Sequence, residues 1–253
     1  MTGRLRSCWR DGRTAYGLWL STDCPSSAEA LAGIAVDYVV FDLQHGLLEV
    51  SGMISMMRAM SRSDATMLCR VPTNEPGIIG RVLDAGAAGV IVPMVDDADL
   101  ARACVSAARY APDGARSWGP TRARLTDGVR DVATANADVV VIAMIETEAA
   151  VAAVDSIASV PGVDALYVGP SDLSVTLGLT PRLDHDDDRF TAALGAVLTA
   201  ARENGVVPAI HADPEIAARR ASEGFSMVTV VSDVQALIDG ARSALDAVRA
   251  VGT

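Results

Sequence analysis

The chain has 253 residues, half of them hydrophobic, with mean hydropathy +0.28. That is ample for a real core and excludes disorder as the main state. At roughly 150 residues per domain the length allows one to two domains, or one large α/β domain. The formal charge of −11 excludes nucleic-acid backbones and anionic membranes as expected partners.

Short apolar runs alternate with Ala-rich helical stretches along the chain. Met1 to Arg13 is a short polar segment without the apolar centre of a signal peptide. Strands are predicted at Thr14–Leu20, Tyr38–Phe41, Thr66–Arg70, Gly89–Val92, Val139–Ile145, Ala165–Val168, Val206–Ile210 and Met227–Val231. Most lack polar alternation, the mark of strands buried on both faces. Helices are predicted at Ser26–Ala32, Val50–Arg62, Pro76–Ala85, Ala98–Arg109, Glu148–Ser159, Phe190–Asn204, Pro214–Glu223 and Asp233–Ala250. Pro76 suits a first helical turn, and Gly86, Gly205 and Gly224 suit helix ends. Eight strands alternating with helices predict a single-domain (β/α)8 barrel spanning residues 1–253, with a doubly wound open sheet as the runner-up. Tyr110–Arg124 reads as irregular, and the acidic run Asp184–Asp188 as a solvated loop.

The four cysteines, Cys8, Cys24, Cys69 and Cys104, form no Cys-x-x-Cys pair and read as free thiols in a reducing compartment. With no run of about 18 apolar residues, the expectation is a cytoplasmic protein without a membrane span.

In such barrels, active sites lie where strands end and βα loops begin. Asp42 and His45 follow the second predicted strand, Arg70 ends the third, Glu146 follows the fifth, Gly169-Pro170-Ser171-Asp172 the sixth and His211 the seventh. Glu146 and Asp172 follow neighbouring strands, which run about 4.8 Å apart. Two carboxylates that close repel, so one is protonated or a divalent cation lies between them; the alternative is that both cap helices. His45 suits a general base or a surface cap. Arg70 suits a substrate carboxylate or oxyanion, or a salt bridge to Asp42. Gly169–Asp172 suits an anion-binding turn or an ordinary one. Trp19 and Trp118 are pocket walls or packing residues. His185 reads as solvated, and His211 is undecided between pocket and surface.

These residues, in this order, resemble the HpcH/HpaI family of metal-dependent (class II) pyruvate aldolases, among them the 4-hydroxy-2-oxoheptanedioate aldolases. The matching segments include Gly17-Leu-Trp-Leu-Ser21, Phe41-Asp-Leu-Gln-His-Gly46, Arg70-Val-Pro72, Val82-Leu-Asp-Ala-Gly86, Arg109-Tyr-Ala-Pro-Asp-Gly114, Arg116-Ser-Trp-Gly-Pro120, Ile145-Glu-Thr147 and Val168-Gly-Pro-Ser-Asp-Leu173. The resemblance implies a homo-oligomer, commonly a hexamer with a swapped helix. It also implies Mg²⁺, Mn²⁺ or Co²⁺ held by Glu146 and Asp172, Arg70 on the keto oxygen of pyruvate, and the Gly169–Asp172 backbone on its carboxylate. His45 would be the acid/base, paired with Asp84, although Asp84 falls late in a predicted helix and Asp42 is the local alternative. Met144 stands where some members carry Gln, Gly46-Leu-Leu is more apolar than in the dicarboxylate aldolases, and Trp118 is bulkier than its counterpart in some members.

The implied activity is cleavage of a 4-hydroxy-2-oxo acid to pyruvate, or a close analogue, and an aldehyde. Alternatives are another lyase or a decarboxylase working through an enolate on this scaffold, and a catalytically silent 2-oxo acid binding protein. The sequence contains no lysine, all 21 basic residues being Arg, so a Schiff-base (class I) route is closed to this chain.

Overall fold

A computed structural model describes residues 3–126 and 131–251 of the chain. In chain order the elements are α1 (Gly3–Arg10), β1 (Ala15–Leu20), α2 (Pro25–Leu31), β2 (Tyr38–Asp42), α3 (Val50–Ala59), β3 (Thr66–Arg70), α4 (Pro76–Asp84), β4 (Gly89–Val92), α5 (Ala98–Ala108), α6 (Thr121–Thr126), α7 (Val132–Asp138) and β5 (Val140–Ile145). They continue with α8 (Glu148–Ala152), α9 (Val154–Ala158), β6 (Ala165–Val168), α10 (Pro170–Thr176), α11 (Asp188–Asn204), β7 (Val207–His211), α12 (Ala217–Glu223), β8 (Met227–Ser232) and α13 (Asp233–Val251). The strands pair in parallel in sequence order and β8 closes onto β1, a (β/α)8 barrel rather than the open sheet. No helix among the described residues is long and apolar enough to cross a membrane.

Alternation along the strands sorts the buried side chains into two cores. Val39, Phe41, Cys69, Val90, Val92, Val141, Ala143, Leu166 and Val168 face the helices. The intervening residues, among them Ala15, Trp19, Tyr38, Val40, Leu68, Ile91, Ile142, Met144, Tyr167 and Met227, fill the lumen. Both faces of β2, β4, β5 and β6 are buried throughout, which is why most of the predicted strands read as continuous apolar runs. The lumen is tight: a Cβ on Gly17 would fall 2.3 Å from the Tyr38 ring.

Several local expectations change. The polar N-terminal segment holds helix α1, whose Leu5 and Cys8 lie three residues apart and are fully buried with the lumen residues. Its charged face ties to the barrel through Arg4–Asp37 (3.2 Å) and Arg6–Asp164 (3.0 Å). Residues 1 and 2 of that segment lie outside the described residues. Glu148–Ser159 breaks at Ala153 into α8 and α9, and the expected irregular stretch after Tyr110 includes the start of α6. The acidic run is anchored rather than free. Asp184 pairs with Arg219 and with the buried Arg220, Asp187 caps α11, and the His185 ring packs on Phe190 with centroids 5.2 Å apart.

Replacing Gly17 with Ala forces its methyl group into the Tyr38 ring. The variant should lose about 1–3 kcal/mol of stability, read as a lower urea midpoint with an unchanged slope.

Candidate active site at the barrel mouth

The parity that fills the lumen continues to the carboxyl ends of the strands. Two residues on from Val40 it delivers Asp42, two on from Leu68 Arg70, two on from Met144 Glu146, two on from Tyr167 Gly169, and two on from Ala209 His211. Of these, Arg70, Gly169 and His211 line a cavity of about 220 Å³ together with Trp19, His45, Met144, Tyr167, Pro170, Ser171, Asp172 and Leu183, while Asp42 and Glu146 are buried beside Arg70 and Gly169.

Arg70 and Asp42 form a buried bidentate pair, Nε to Oδ1 at 2.8 Å and Nη2 to Oδ2 at 2.6 Å. Trp19 Nε1 donates to Asp42 Oδ2 at 3.1 Å, and the Gln44 and His45 backbone N–H groups donate to Oδ1 at 3.0 and 3.3 Å. Burial alone would raise the Asp42 carboxyl, but Arg70, Trp19 and the His45 N–H outweigh it and hold it below the usual carboxylate range. The Trp19 ring lies 4.9 Å from the guanidinium. The salt bridge read as the structural alternative for Arg70 is therefore present, and Arg70 lines the cavity as well. Asp42 is occupied with Arg70, Trp19 and backbone; what it offers His45 is an anchor for the main chain.

Glu146 is 1% exposed and sits behind Gly169, one of the residues that line the cavity. Its Oε1 accepts the Met94 N–H at 2.8 Å, which Met94 presents from a left-handed backbone conformation (φ 54°), a strain tolerated where the surroundings fix it. A Cβ on Gly169 would fall 2.6 Å from Oε2, so glycine leaves that oxygen its place at the root of α10. Burial raises the Glu146 carboxyl and the charges of Asp172 and Asp96 raise it further, against the Met94 N–H and Arg70. The helix-cap alternative for the two acids does not hold: the caps of α8 and α10 are Thr147 and Gly169, with Asp172 in the first turn of α10. Among the described residues no group of three or more His, Cys, Asp or Glu gathers as a metal cluster.

At the start of α10, Gly169 N–H is directed to Ile145 O at 3.3 Å and Pro170 has no N–H. The backbone donors left toward the cavity are those of Ser171 and Asp172. His45 is exposed at the rim.

Asp84 and Trp118 lie elsewhere in the single chain. Asp84 ends α4 and accepts from Arg116 Nη2 at 2.6 Å. Asp84 and Arg116 line a second cavity of about 690 Å³ bounded by α3, α4 and the segment that follows α5. Trp118 is exposed and packs on Tyr110, centroids 4.8 Å apart, the packing role rather than a wall of the first cavity. His211 does line the barrel mouth. Sequence reading missed Tyr167, Met144 and Leu183 as lining residues. The signal for Tyr167 was a tyrosine in an otherwise aliphatic strand, at the same parity as Gly169.

Residues 15–240 match the family described as HpcH/HpaI aldolase/citrate lyase. A hydroxypyruvate/pyruvate aldolase of Rhizorhabdus wittichii is 37% identical, the alignment covering 98% of this chain and 99% of that one. A 4-hydroxy-2-oxovalerate aldolase of Novosphingobium aromaticivorans is 40% identical over 69% of this chain and 68% of its own. Among solved structures, a HpcH/HpaI aldolase/citrate lyase family protein from Burkholderia cenocepacia superposes with a TM-score of 0.91 at 36% identity, covering 97% of this chain and 98% of the other. A match across nearly the whole barrel, together with relatives of this similarity, means that the chain belongs to the HpcH/HpaI aldolase/citrate lyase family.

Proposed function

We propose that the barrel mouth cleaves and forms a carbon–carbon bond beside a ketone, with a divalent cation held by Glu146 and Asp172. The chain is a class II aldolase by family, and its relatives are named as hydroxypyruvate/pyruvate and 4-hydroxy-2-oxovalerate aldolases. The substrate class assigned here is therefore a 4-hydroxy-2-oxo acid, cleaved to pyruvate or hydroxypyruvate and an aldehyde.

The observation that carries the reading is Glu146. A buried carboxylate, raised by burial and by the neighbouring negative charge of Asp172, with one oxygen in a space kept open by a glycine, fits a hard cation bound through oxygen. Two carboxylates would leave room for water and substrate oxygens on the ion, as would suit Mg²⁺, Mn²⁺ or Co²⁺ bound together with a 2-oxo acid. When bound, such an ion withdraws charge from a keto oxygen.

The chain's own groups do the rest. Asp42 uses two of the five guanidinium N–H groups of Arg70, leaving others for the keto oxygen, where negative charge grows as the bond breaks. The Ser171 and Asp172 N–H groups orient the carboxylate. His45 takes the proton of the C4 hydroxyl, through water, and returns one in the reverse direction.

The partner proposed for His45 is Asp84 of a second copy, since the two residues of one chain line different cavities. Helix α13 supports such an assembly: beyond Asp233 it is exposed along its length, with Val234, Leu237, Ile238, Leu245 and Val248 at helical spacing. The resemblance makes that assembly a hexamer with a swapped helix.

Glu146→Gln should fold as the wild type does and lose Mn²⁺ binding in a calorimetric titration; unchanged affinity would remove Glu146 as a ligand. In the wild type, EDTA should abolish pyruvate release from a 4-hydroxy-2-oxo acid and Mn²⁺ should restore it. Arg70→Lys keeps the charge but not the fork, and should lower kcat/KM about a hundredfold.

Asp42→Ala strands a buried guanidinium and should cost about 3–5 kcal/mol of stability. Because the folded Asp42 carboxyl lies below its unfolded value, its contribution is present above about pH 4 and is lost as pH falls through the folded value. Stability of the wild type should therefore drop in acid more steeply than that of Asp42→Asn.

His45→Ala and Asp84→Ala chains, each inactive alone, should regain partial activity when unfolded together and refolded as mixed oligomers. No recovery in mixed oligomers of native size would mean that the two residues do not meet across copies.

A further inference from the structure

A chain of hydroxyl groups crosses the lumen beneath the cavity. Tyr38 Oη lies 2.9 Å from Thr229 Oγ1, Thr229 Oγ1 lies 2.6 Å from Tyr167 Oη, and Tyr167 Oη lies 3.4 Å from His211 Nδ1. Tyr38, Tyr167 and Thr229 are fully buried, so each O–H proton needs an acceptor inside the barrel.

The closed end of this chain sets its direction. The hydrogen-bond partner of Tyr38 Oη is Thr229, so the Tyr38 proton goes to Thr229 Oγ1. Thr229 then has its own proton to place, on its other neighbour Tyr167, and Tyr167 passes its proton to His211 Nδ1. If Nδ1 donated instead, a hydroxyl proton of Thr229 or Tyr38 would be left buried and unpaired, which costs more than the chain gains. Nδ1 is thus the acceptor, and the imidazole proton sits on Nε2.

Nδ1 faces Tyr167, so Nε2 is the nitrogen free to meet a ligand in the cavity that His211 lines. The Trp19 ring meets the imidazole edge-on, centroids 5.0 Å apart, and fixes its plane. Burial, reinforced by the charge of Arg70, holds His211 at about 4, so the ring is neutral at ordinary pH. The cavity wall joins the apolar Trp19, Met144 and Leu183 to the polar Arg70, His45, Ser171 and Asp172.

We propose that His211 presents a neutral Nε2–H donor to a substrate hydroxyl, making it a specificity-determining residue that favours hydroxylated substrates over their deoxy counterparts. This rests on the aldolase reading above. A substrate with a methyl group at that point leaves the donor unpaired in a small cavity, and such a mismatch discriminates more strongly than apolar fit does. The hydroxyl belongs either to the C3 of a hydroxypyruvate-type donor or to the carbon next to the aldehyde of the acceptor.

The first test is the tautomer. Histidine-labelled protein has three imidazoles, and comparison with His211→Phe assigns the signal by long-range ¹H–¹⁵N correlation at neutral pH. A neutral ring protonated on Nε2 is expected; an Nδ1–H tautomer or a charged ring overturns the proposal.

The second test is discrimination. Wild type, His211→Phe and His211→Gln are compared in kcat/KM for hydroxypyruvate against pyruvate with one aldehyde, and for glycolaldehyde against acetaldehyde with pyruvate. His211→Phe should lower the hydroxy-over-deoxy ratio about tenfold in one of the two pairs, which identifies the oxygen read. His211→Gln, which keeps an N–H donor, should retain more of it. Unchanged ratios in both pairs overturn the proposal. If the wild type turned over none of these substrates, the aldolase reading would fall by itself. His211 would then be judged by binding: the hydroxylated member of one pair should displace the Nε2 signal more than its deoxy partner, and equal displacement in both pairs overturns the assignment.

Discussion

The constraint on which this molecule turns is side-chain parity in a closed sheet. In an open sheet, alternation chooses between two similar faces; in a closed barrel one face is a lumen that admits a fixed volume of side chain. Here the lumen is so full that Gly17 gives its share to the ring of Tyr38. The residues two steps beyond the last packed layer therefore rise together at the mouth, and Asp42, Arg70, Glu146 and His211 are brought together by counting in twos along separate strands. A slip of one residue in any of them would push a charged or polar group into the dry layer under the helices, where nothing answers it. The packing that fixes the fold and the electrostatics that fix the site thus enforce the same register.

Those charges are not arranged evenly. On the β2–β3 side Asp42 and Arg70 neutralise each other in a bidentate pair, with Trp19 bonded to the acid and stacked near the base. Burying such a pair stabilises little in net terms, because desolvation offsets most of the attraction; its value is that it holds a guanidinium at a defined place and angle. On the β5–β6 side Glu146 has acidic neighbours, Asp172 and Asp96, and one backbone N–H. One half of the mouth is balanced and the other carries an excess of negative charge. That asymmetry, more than the identity of any one residue, is what supports the proposal of a cation on the one side and a developing negative charge on the other.

Much of this was legible in the sequence because a parallel barrel writes itself plainly. The expected strand positions fall within a residue or so of β1 to β8, since each is a short aliphatic run bounded by polar or glycine residues. Legibility ended where a feature depends on closure. Leu5 and Cys8 count as two apolar positions in a polar segment until α1 is seen plugging the lumen. Tyr167 stands out as a tyrosine in an aliphatic strand, but its meeting with Thr229 does not, because only closure of the lumen brings side chains of the non-adjacent β6 and β8 together, hydroxyl to hydroxyl at 2.6 Å. Met94 gave no sign that its backbone would turn left-handed to serve Glu146. For Arg70, salt bridge and substrate contact were weighed as alternatives, yet a guanidinium has enough donors to leave room for both.

Asp84 marks the other limit, that of a single chain. The sequence order places it beside residues of the site, yet it ends α4, paired with Arg116 on the wall of a different cavity. Its carboxylate is half-buried and its partner Arg116 largely enclosed, so the pair is costly to hold apart from any function. The same chain extends α13 into solvent with an apolar stripe that a lone molecule has no reason to keep. Each feature is an anomaly in isolation. Both lose that character if copies associate, because one contact would cover apolar surface while another carries an acid to a neighbour's rim, where His45 stands exposed. Catalytic competence would then be tied to assembly, and a monomer with a complete barrel and intact buried charges would still lack part of its acid/base apparatus.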